Sequence, residues 1–281
     1  MSRVYEALQW AEEEKKGNRV KKFPVKAPEK KPLPGEERPT LKFPKKRTEE
    51  PELSPKEDAP VLTIRPETFA AEEFRKLKTQ IFLYSPGPLH SLLITSAVPR
   101  EGKTMVAFNL ALAISREFHK KVILIDADLR KPSIHLEAYP KPKGLSNYLL
   151  NQASLSEILL DSGAQNLQII PAGDSSRKSA ELIGTAKMSE LLGSLRKLGD
   201  DTYIIIDSPP IISAAESTLL SKMVDGVILV VTGCRTPKES VRRAVESIDR
   251  QKLIGTVFNE VDIKPSSYYS KSYYGFYKKH T

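Results

Sequence analysis

From about residue 68 onward the chain alternates two hydrophobic patterns. Short continuous apolar runs at 92–95 (LLIT), 122–126 (VILID), 167–171 (LQIIP), 203–207 (YIIID), 227–231 (VILVV) and 256–259 (TVFN) predict strands. Between them, apolar residues at three- and four-residue spacing predict helices over 103–118, 180–197 and 238–251. An earlier helix is expected over 68–83, with Phe69, Phe74, Leu77 and Ile81 as its buried stripe. Runs of Ile, Leu and Val without polar alternation belong to strands buried on both faces, so the expected fold class is α/β, a mainly parallel sheet flanked by helices. Ligands of such folds sit at the carboxyl ends of the strands.

The first quarter of the chain has neither pattern. Residues 2–16 read as a short amphipathic helix, with Val4, Leu8 and Ala11 on one face and Ser2 as N-cap. It would dock on a partner or on the chain itself; its acidic polar face speaks against a membrane-surface anchor. Ten of the 21 prolines fall within residues 1–66, and residues 11–60 mix 14 Lys/Arg with 11 Asp/Glu, which predicts a disordered linker over 17–66. The expected organisation is therefore a helix at 1–16, a linker at 17–66, one catalytic-sized domain at 67–263 and a tail at 264–281.

No apolar run reaches the 18 or so residues that span a bilayer, and Glu12, Glu13 and Glu14 stand where a signal peptide would be apolar. The single cysteine, Cys234, excludes an internal disulfide and a thiolate metal cluster, and a soluble cytoplasmic chain is expected. The net charge of +9 permits nucleotide, nucleic acid or anionic lipid as partner and selects none of them.

Chemistry enters at three strand ends. Ala97-Val-Pro-Arg-Glu-Gly-Lys-Thr104 follows a strand and opens a helix, matching the P-loop pattern except for Ala97 in place of the leading Gly. Such a loop curls backbone N–H groups around phosphates at a helix N-terminus, which nominates Pro99, Arg100, Glu101, Gly102, Lys103, Thr104 and Met105 as nucleotide-binding positions. Lys103 would meet the terminal phosphates and Thr104 would offer a hydroxyl to Mg²⁺. The second strand end carries Asp126, Asp128 and Arg130; Asp126 is either a functional carboxylate in the ligand crevice or the cap of a strand-to-loop turn. The third ends Asp207-Ser208-Pro209-Pro210, and Asp207 behind a P-loop is the expected magnesium-side acid.

On these motifs residues 68–262 resemble the bacterial tyrosine kinases of exopolysaccharide and capsule assembly. The resemblance rests on the P-loop, on a strand ending Asp-x-Asp-x-Arg (Asp126, Asp128, Arg130) and on a strand ending Asp-Ser/Thr-Pro-Pro (Asp207 to Pro210). Further matches are Gly144 to Leu149, Ala180 to Ile183 and Asp225 to Val231. It implies ATP and Mg²⁺ as cofactors, with Lys103 on the β/γ-phosphates, Thr104, Asp128 and Asp207 as metal ligands, and Asp126 as the base that takes the tyrosine proton. Asn259 is similar to a position that reads the adenine edge, or is simply a polar strand terminator. The family ends in a tyrosine cluster phosphorylated by neighbouring subunits, and here Tyr268, Tyr269, Tyr273, Tyr274 and Tyr277 fall within the last 14 residues.

Two departures stand out. Arg100 replaces the usual Gly, which strains the loop if that position needs φ > 0, or else places a cation near the γ-phosphate or a neighbour. The family's Glu-x-x-Arg-x-x-Arg helix, used in ring-like homo-oligomers, reads Glu72, Arg75 and Lys78; these either face an adjacent subunit or form an exposed charged helix face, and Lys78 lacks the planar fork of arginine. The resemblance also implies a membrane polysaccharide co-polymerase as activator, recruiting the chain to the inner face of the plasma membrane, and a phosphotyrosine phosphatase. The alternative reading is a MinD/ParA-like ATPase switch without kinase activity, but Val98 stands where those proteins carry their signature lysine. A third is a non-catalytic protein whose Tyr/Lys tail binds lipid or nucleic acid; no basic groove accompanies that tail, and no nucleic-acid partner is expected.

Overall fold

The computed structural model describes residues 64, 68–84, 87–117, 120–134, 141–176 and 178–261. Apart from Ile64, the expected N-terminal helix, the linker and the tyrosine tail lie outside the described residues. Along the chain come α1 (Phe69–Tyr84), β1 (Ser91–Ser96), α2 (Lys103–Ser115), β2 (Lys121–Asp126), α3 (Leu145–Leu149) and α4 (Leu155–Ile158). They are followed by β3 (Leu160–Asp161), β4 (Leu167–Ile170), α5 (Ser179–Ile183), α6 (Ala186–Arg196), β5 (Thr202–Asp207), α7 (Ala215–Met223), β6 (Gly226–Thr232), α8 (Lys238–Glu246) and β7 (Leu253–Asn259).

The strands form one seven-stranded sheet in the order β3-β4-β2-β5-β1-β6-β7. Every pairing is parallel except β3 with β4. The continuous apolar runs are explained by the two cores. Leu93, Ile123, Ile125, Ile204 and Ile206 point to the face covered by α3 to α8. Their neighbours Leu92, Ile94, Val122, Leu124 and Ile205 point to the face covered by α1 and α2. Alternation exists in direction but not in polarity, because both directions are dry. At the open edge β7 has one wet side, and Phe258 is exposed.

Some elements differ from the pattern. The helix expected over 180–197 is two helices, α5 and α6, because Thr185 turns to an extended backbone and its hydroxyl donates to the Leu182 carbonyl, 2.7 Å. Such local side-chain bonds compete with helix propagation. In the same way the Ser247 hydroxyl donates to the Arg243 carbonyl just beyond the end of α8. The helix expected over 103–118 ends at Ser115, and β7 begins at Leu253, before the run that signals it. The short α3, α4 and β3 are too brief to carry a period. Gly144 permits the first of these: a Cβ there would lie 2.2 Å from the Pro171 carbonyl oxygen, where the Leu145 N–H docks on the end of β4.

Candidate functional site

β1, β2 and β5 are the sheet's centre, and their carboxyl ends carry the motifs. In register Asp126 pairs with Asp207 across β2 and β5, and Ile94 of β1 pairs with Asp207 on its other side. The P-loop leaves β1 two residues beyond Ile94, so the acids and the loop share one end of the sheet.

The loop has two left-handed residues, Arg100 at φ 66° and Gly102 at φ 78°. Gly102 is required twice over, since a Cβ would fall 2.1 Å from the Asn259 side-chain nitrogen. Arg100 pays the left-handed penalty, about 1–2 kcal/mol for a residue with a Cβ. Arg100→Gly should therefore raise stability, by roughly 0.5–1 kcal/mol after the looser unfolded chain is subtracted. A chemical denaturation midpoint that falls would refute this.

Glu101 is 2% exposed, and its carboxylate is taken up by the chain's own donors. One oxygen accepts from the Val98 N–H (2.7 Å), the other from the Thr232 N–H (3.1 Å) and the Thr236 hydroxyl. Asn259 at the end of β7 donates to the Glu101 carbonyl, 3.0 Å. The loop is thus clamped to the ends of β6 and β7, and Glu101 retains only its backbone N–H for a nucleotide. This clamp carries no sequence signal, because its partners lie over 130 positions away.

Lys103 and Thr104 open α2. The Lys103 Nζ lies 3.5 Å from Asp128 Oδ2, while Asp128 Oδ1 accepts from the Lys131 N–H at 3.0 Å. Asp126 is fully buried and accepts three backbone N–H groups, from Asp128 (3.0 Å), Ser133 (3.0 Å) and Ile134 (3.1 Å). It therefore caps the loop that follows β2. Burial raises its carboxyl to about 6 against the pull of those three donors, with Asp128 adding to the rise.

Asp207 is the outlier. It is fully buried, and neither carboxylate oxygen has a hydrogen-bond partner of good geometry, although the Thr104 hydroxyl lies near enough to favour its charged form. Burial raises it to about 7; the Lys103 charge opposes this, and Asp126 and Asp128 reinforce it. Two orphaned buried oxygens beside a hydroxyl and a second acid suit a hard cation. Among the described residues no three His, Cys, Asp or Glu side chains converge to hold a metal alone. Mg²⁺ needs no such cage, since it takes one or two carboxylates and completes its shell with phosphates and water.

The interface candidates on α1 are also ordered. Glu72 and Arg75 pair with each other, while Lys78 reaches Glu117 at 2.6 Å and is 15% exposed. Arg75 and Lys78, but not Glu72, line a cavity of about 100 Å³ between α1 and α2, which Ile64 also lines with its N–H donated to Asn109 (3.0 Å). Lys78 is thus held by its own chain rather than presented with the other two.

A P-loop opening a helix at the centre of a parallel sheet, with acids on the neighbouring strand ends, defines a P-loop nucleotide-binding domain. A family profile described as an AAA domain matches residues 101–254, just over half of the chain. Tyrosine-protein kinase YwqD of Bacillus subtilis is 34% identical over 219 residues, spanning 76% of this chain and 90% of that protein. The succinoglycan biosynthesis transport protein ExoP of Rhizobium meliloti is 30% identical over 217 residues, 75% of this chain but 27% of that protein. The solved kinase domain of Escherichia coli tyrosine kinase ETK superposes with a TM-score of 0.62 at 26% identity, covering 70% of this chain and 78% of the other. The chain belongs to the family of bacterial tyrosine-protein kinases. Among the described residues no helix is long and apolar enough to cross a membrane.

Proposed function

We propose that this protein is an ATP-dependent tyrosine autokinase that phosphorylates its own C-terminal tyrosine cluster in trans and thereby regulates exopolysaccharide or capsule polymerisation and export. The observation that carries the reading is Asp207, a buried carboxylate with two unpartnered oxygens beside a P-loop lysine, in a chain of tyrosine-kinase ancestry.

Lys103 binds the β/γ-phosphates of ATP, and the backbone N–H groups of residues 99–105 cradle them. Thr104, Asp128 and Asp207 would hold Mg²⁺, which would supply charge neutralisation at the transferring phosphoryl group. Asn259 borders the adenine side. Asp126 takes the phenolic proton as the tyrosine oxygen bonds to the γ-phosphorus and the bond to the ADP oxygen breaks. Three of its roughly four lone-pair sites are occupied by backbone donors, leaving one for that proton, and a carboxyl near 6 suits a base at neutral pH.

The acceptors are Tyr268, Tyr269, Tyr273, Tyr274 and Tyr277. Full phosphorylation adds about −7.5 to −10 charges against +4 from Lys264, Lys271, Lys278 and Lys279. A tail of that sign leaves an acidic, nucleotide-filled crevice, so ring-like assemblies built through Glu72 and Arg75, with Lys78 joining only if it exchanges Glu117 for a neighbour, come apart as the tails are modified. A membrane polysaccharide co-polymerase would recruit and activate the chain, consistent with a relative in which the matching segment is 27% of a transport protein, and a phosphotyrosine phosphatase would reset the tail.

The test mixes two purified chains. One is Lys103→Met with an intact tail; the other is active and has all five tail tyrosines changed to phenylalanine. Peptide mass spectrometry after addition of ATP and Mg²⁺ should find phosphotyrosine on the Lys103→Met tail. Wild type treated alone is the control: phosphate on neither mixed chain and none on wild type would refute kinase action on this tail, whereas phosphate on wild type alone would place the reaction in cis.

A further inference from the structure

The first turn of α7 holds both acidic loops at once. Two residues after Asp128, the Arg130 Nε donates to Glu216 Oε1 at 2.7 Å and to the Ser179 hydroxyl at 3.0 Å. Ser179 in turn donates to the same Glu216 oxygen. Two residues after Asp207, the Pro209 carbonyl accepts the Ser217 hydroxyl at 2.6 Å and the Thr95 hydroxyl at 2.8 Å. Glu216 and Ser217 are consecutive, and both are fully buried.

Stability alone does not account for this arrangement. Burial works against ionised Glu216, and its carboxyl stays below the usual range only through Ser179, its own backbone N–H and Arg130. Its second oxygen, Oε2, is buried without a partner. Removing charges from water is costly, and an apolar set of similar volume is often at least as stable. The feature that an apolar set would lack is direction. The Arg130 bond fixes the loop that carries Asp128, and the Ser217 bond fixes the loop that carries Asp207.

We infer that Glu216 and Ser217 are positioning residues that set the separation of Asp128 and Asp207, Glu216 acting through Arg130 and Ser217 through Pro209. Neither touches the nucleotide. The inference rests on the reading of Asp128 and Asp207 as the acids that serve magnesium-bound nucleotide. It adds to that reading a rigid strut outside the site.

The readout is the metal-dependent gain in nucleotide affinity: the ratio of ADP dissociation constants measured by calorimetry on the full chain in EDTA and in MgCl₂. Because Glu216 is fully buried, the primary variant is Arg130→Met, whose side chain is half exposed. It should cut the gain roughly tenfold, as loss of groups supporting metal ligands commonly does, with the EDTA constant unchanged within about twofold. Arg130→Lys, which keeps the charge, should recover part of the gain, and Glu216→Gln should lose less than Arg130→Met. An unchanged gain in Arg130→Met and Glu216→Gln overturns the inference. So does an equal loss of affinity with and without metal, which is the mark of a merely structural role. Asp207→Ala is the control: if it keeps the full gain, the reading of the acids fails, whereas if it loses the gain and Arg130→Met does not, only the strut fails.

Discussion

Lys103→Met is expected to abolish autophosphorylation while the protein remains folded. The lysine sits at the first position of α2, and among the described residues its ion pair is with Asp128 at 3.5 Å. Losing it leaves the nearly buried Asp128 without that counter-ion, so a lower melting temperature is expected, short of unfolding. The catalytic loss has two sources. A cation aimed at phosphates whose charge is redistributed in transfer is removed, a change that in comparable electrostatic sites costs roughly 10²–10³ in rate. The same cation also opposes the protonation of Asp207, so without it that carboxyl rises further and is protonated at neutral pH, when a metal ligand must be ionised. The measurement is phosphotyrosine by intact mass alongside a thermal melt. Autophosphorylation at the wild-type rate in a folded Lys103→Met protein would remove this loop from the mechanism.

Much of the scaffold is legible in the sequence, for a simple reason. A strand dry on both faces writes itself as an unbroken Ile/Leu/Val run, and five of the seven strands are of that kind or close to it. Parallel order with the ligand at the carboxyl ends then follows, and the P-loop and the two acidic strand ends do meet at one end of the sheet. The short elements are not legible: α3 and α4 are five and four residues long, and β3 is two, less than any period needs. Nor is the break between α5 and α6, where a hydroxyl bond outweighs an apolar spacing that continues across it.

The site is legible in its residue types and only partly in their roles. The sequence leaves Arg100 between strain and cation; the backbone angle of 66° establishes the strain. It leaves Asp126 between base and turn cap, and the three N–H donors show that the cap is real, leaving the base as a further role. Asn259 ends its strand and also ties the P-loop, a link no local pattern could reveal. Glu101 and Glu216 are the general case. Both are buried acids tied to partners far along the chain, Thr232 and Thr236 for Glu101 and Arg130 and Ser179 for Glu216, and no local pattern in the sequence marks either side chain as buried.

Asp207→Asn is expected to separate stability from function, and pH gives the sign. In the folded protein Asp207 titrates near 7, and in the unfolded chain near the ordinary 3.8. Between those values the native state binds more protons than the unfolded state, so stability falls as pH rises. The stabilising contribution of the protonated acid is complete below about 3.8 and is lost as pH passes through about 7. Titrating alone, the group could account for roughly 4 kcal/mol, at about 1.4 kcal/mol per pH unit; Asp126 shares the site, so the two acids titrate as a pair and the share of either is smaller. Asparagine has the same shape and no charge to bury. The nucleotide-free variant should therefore match wild type only near pH 4 and below, gain on it in urea midpoint as pH rises from about 4 to 7, and keep a constant lead above about pH 8. On the proposed reading of Asp207 as a magnesium ligand, the same variant should transfer no phosphate, because a neutral amide replaces the carboxylate. In wild type, the metal-dependent part of ADP affinity should weaken as pH falls through about 7, where the carboxylate takes up its proton. A stability gap that closes as pH rises, or metal-dependent affinity indifferent to pH from 6 to 8, would show that the Asp207 carboxylate is already charged in the resting fold and that its isolation has another cause.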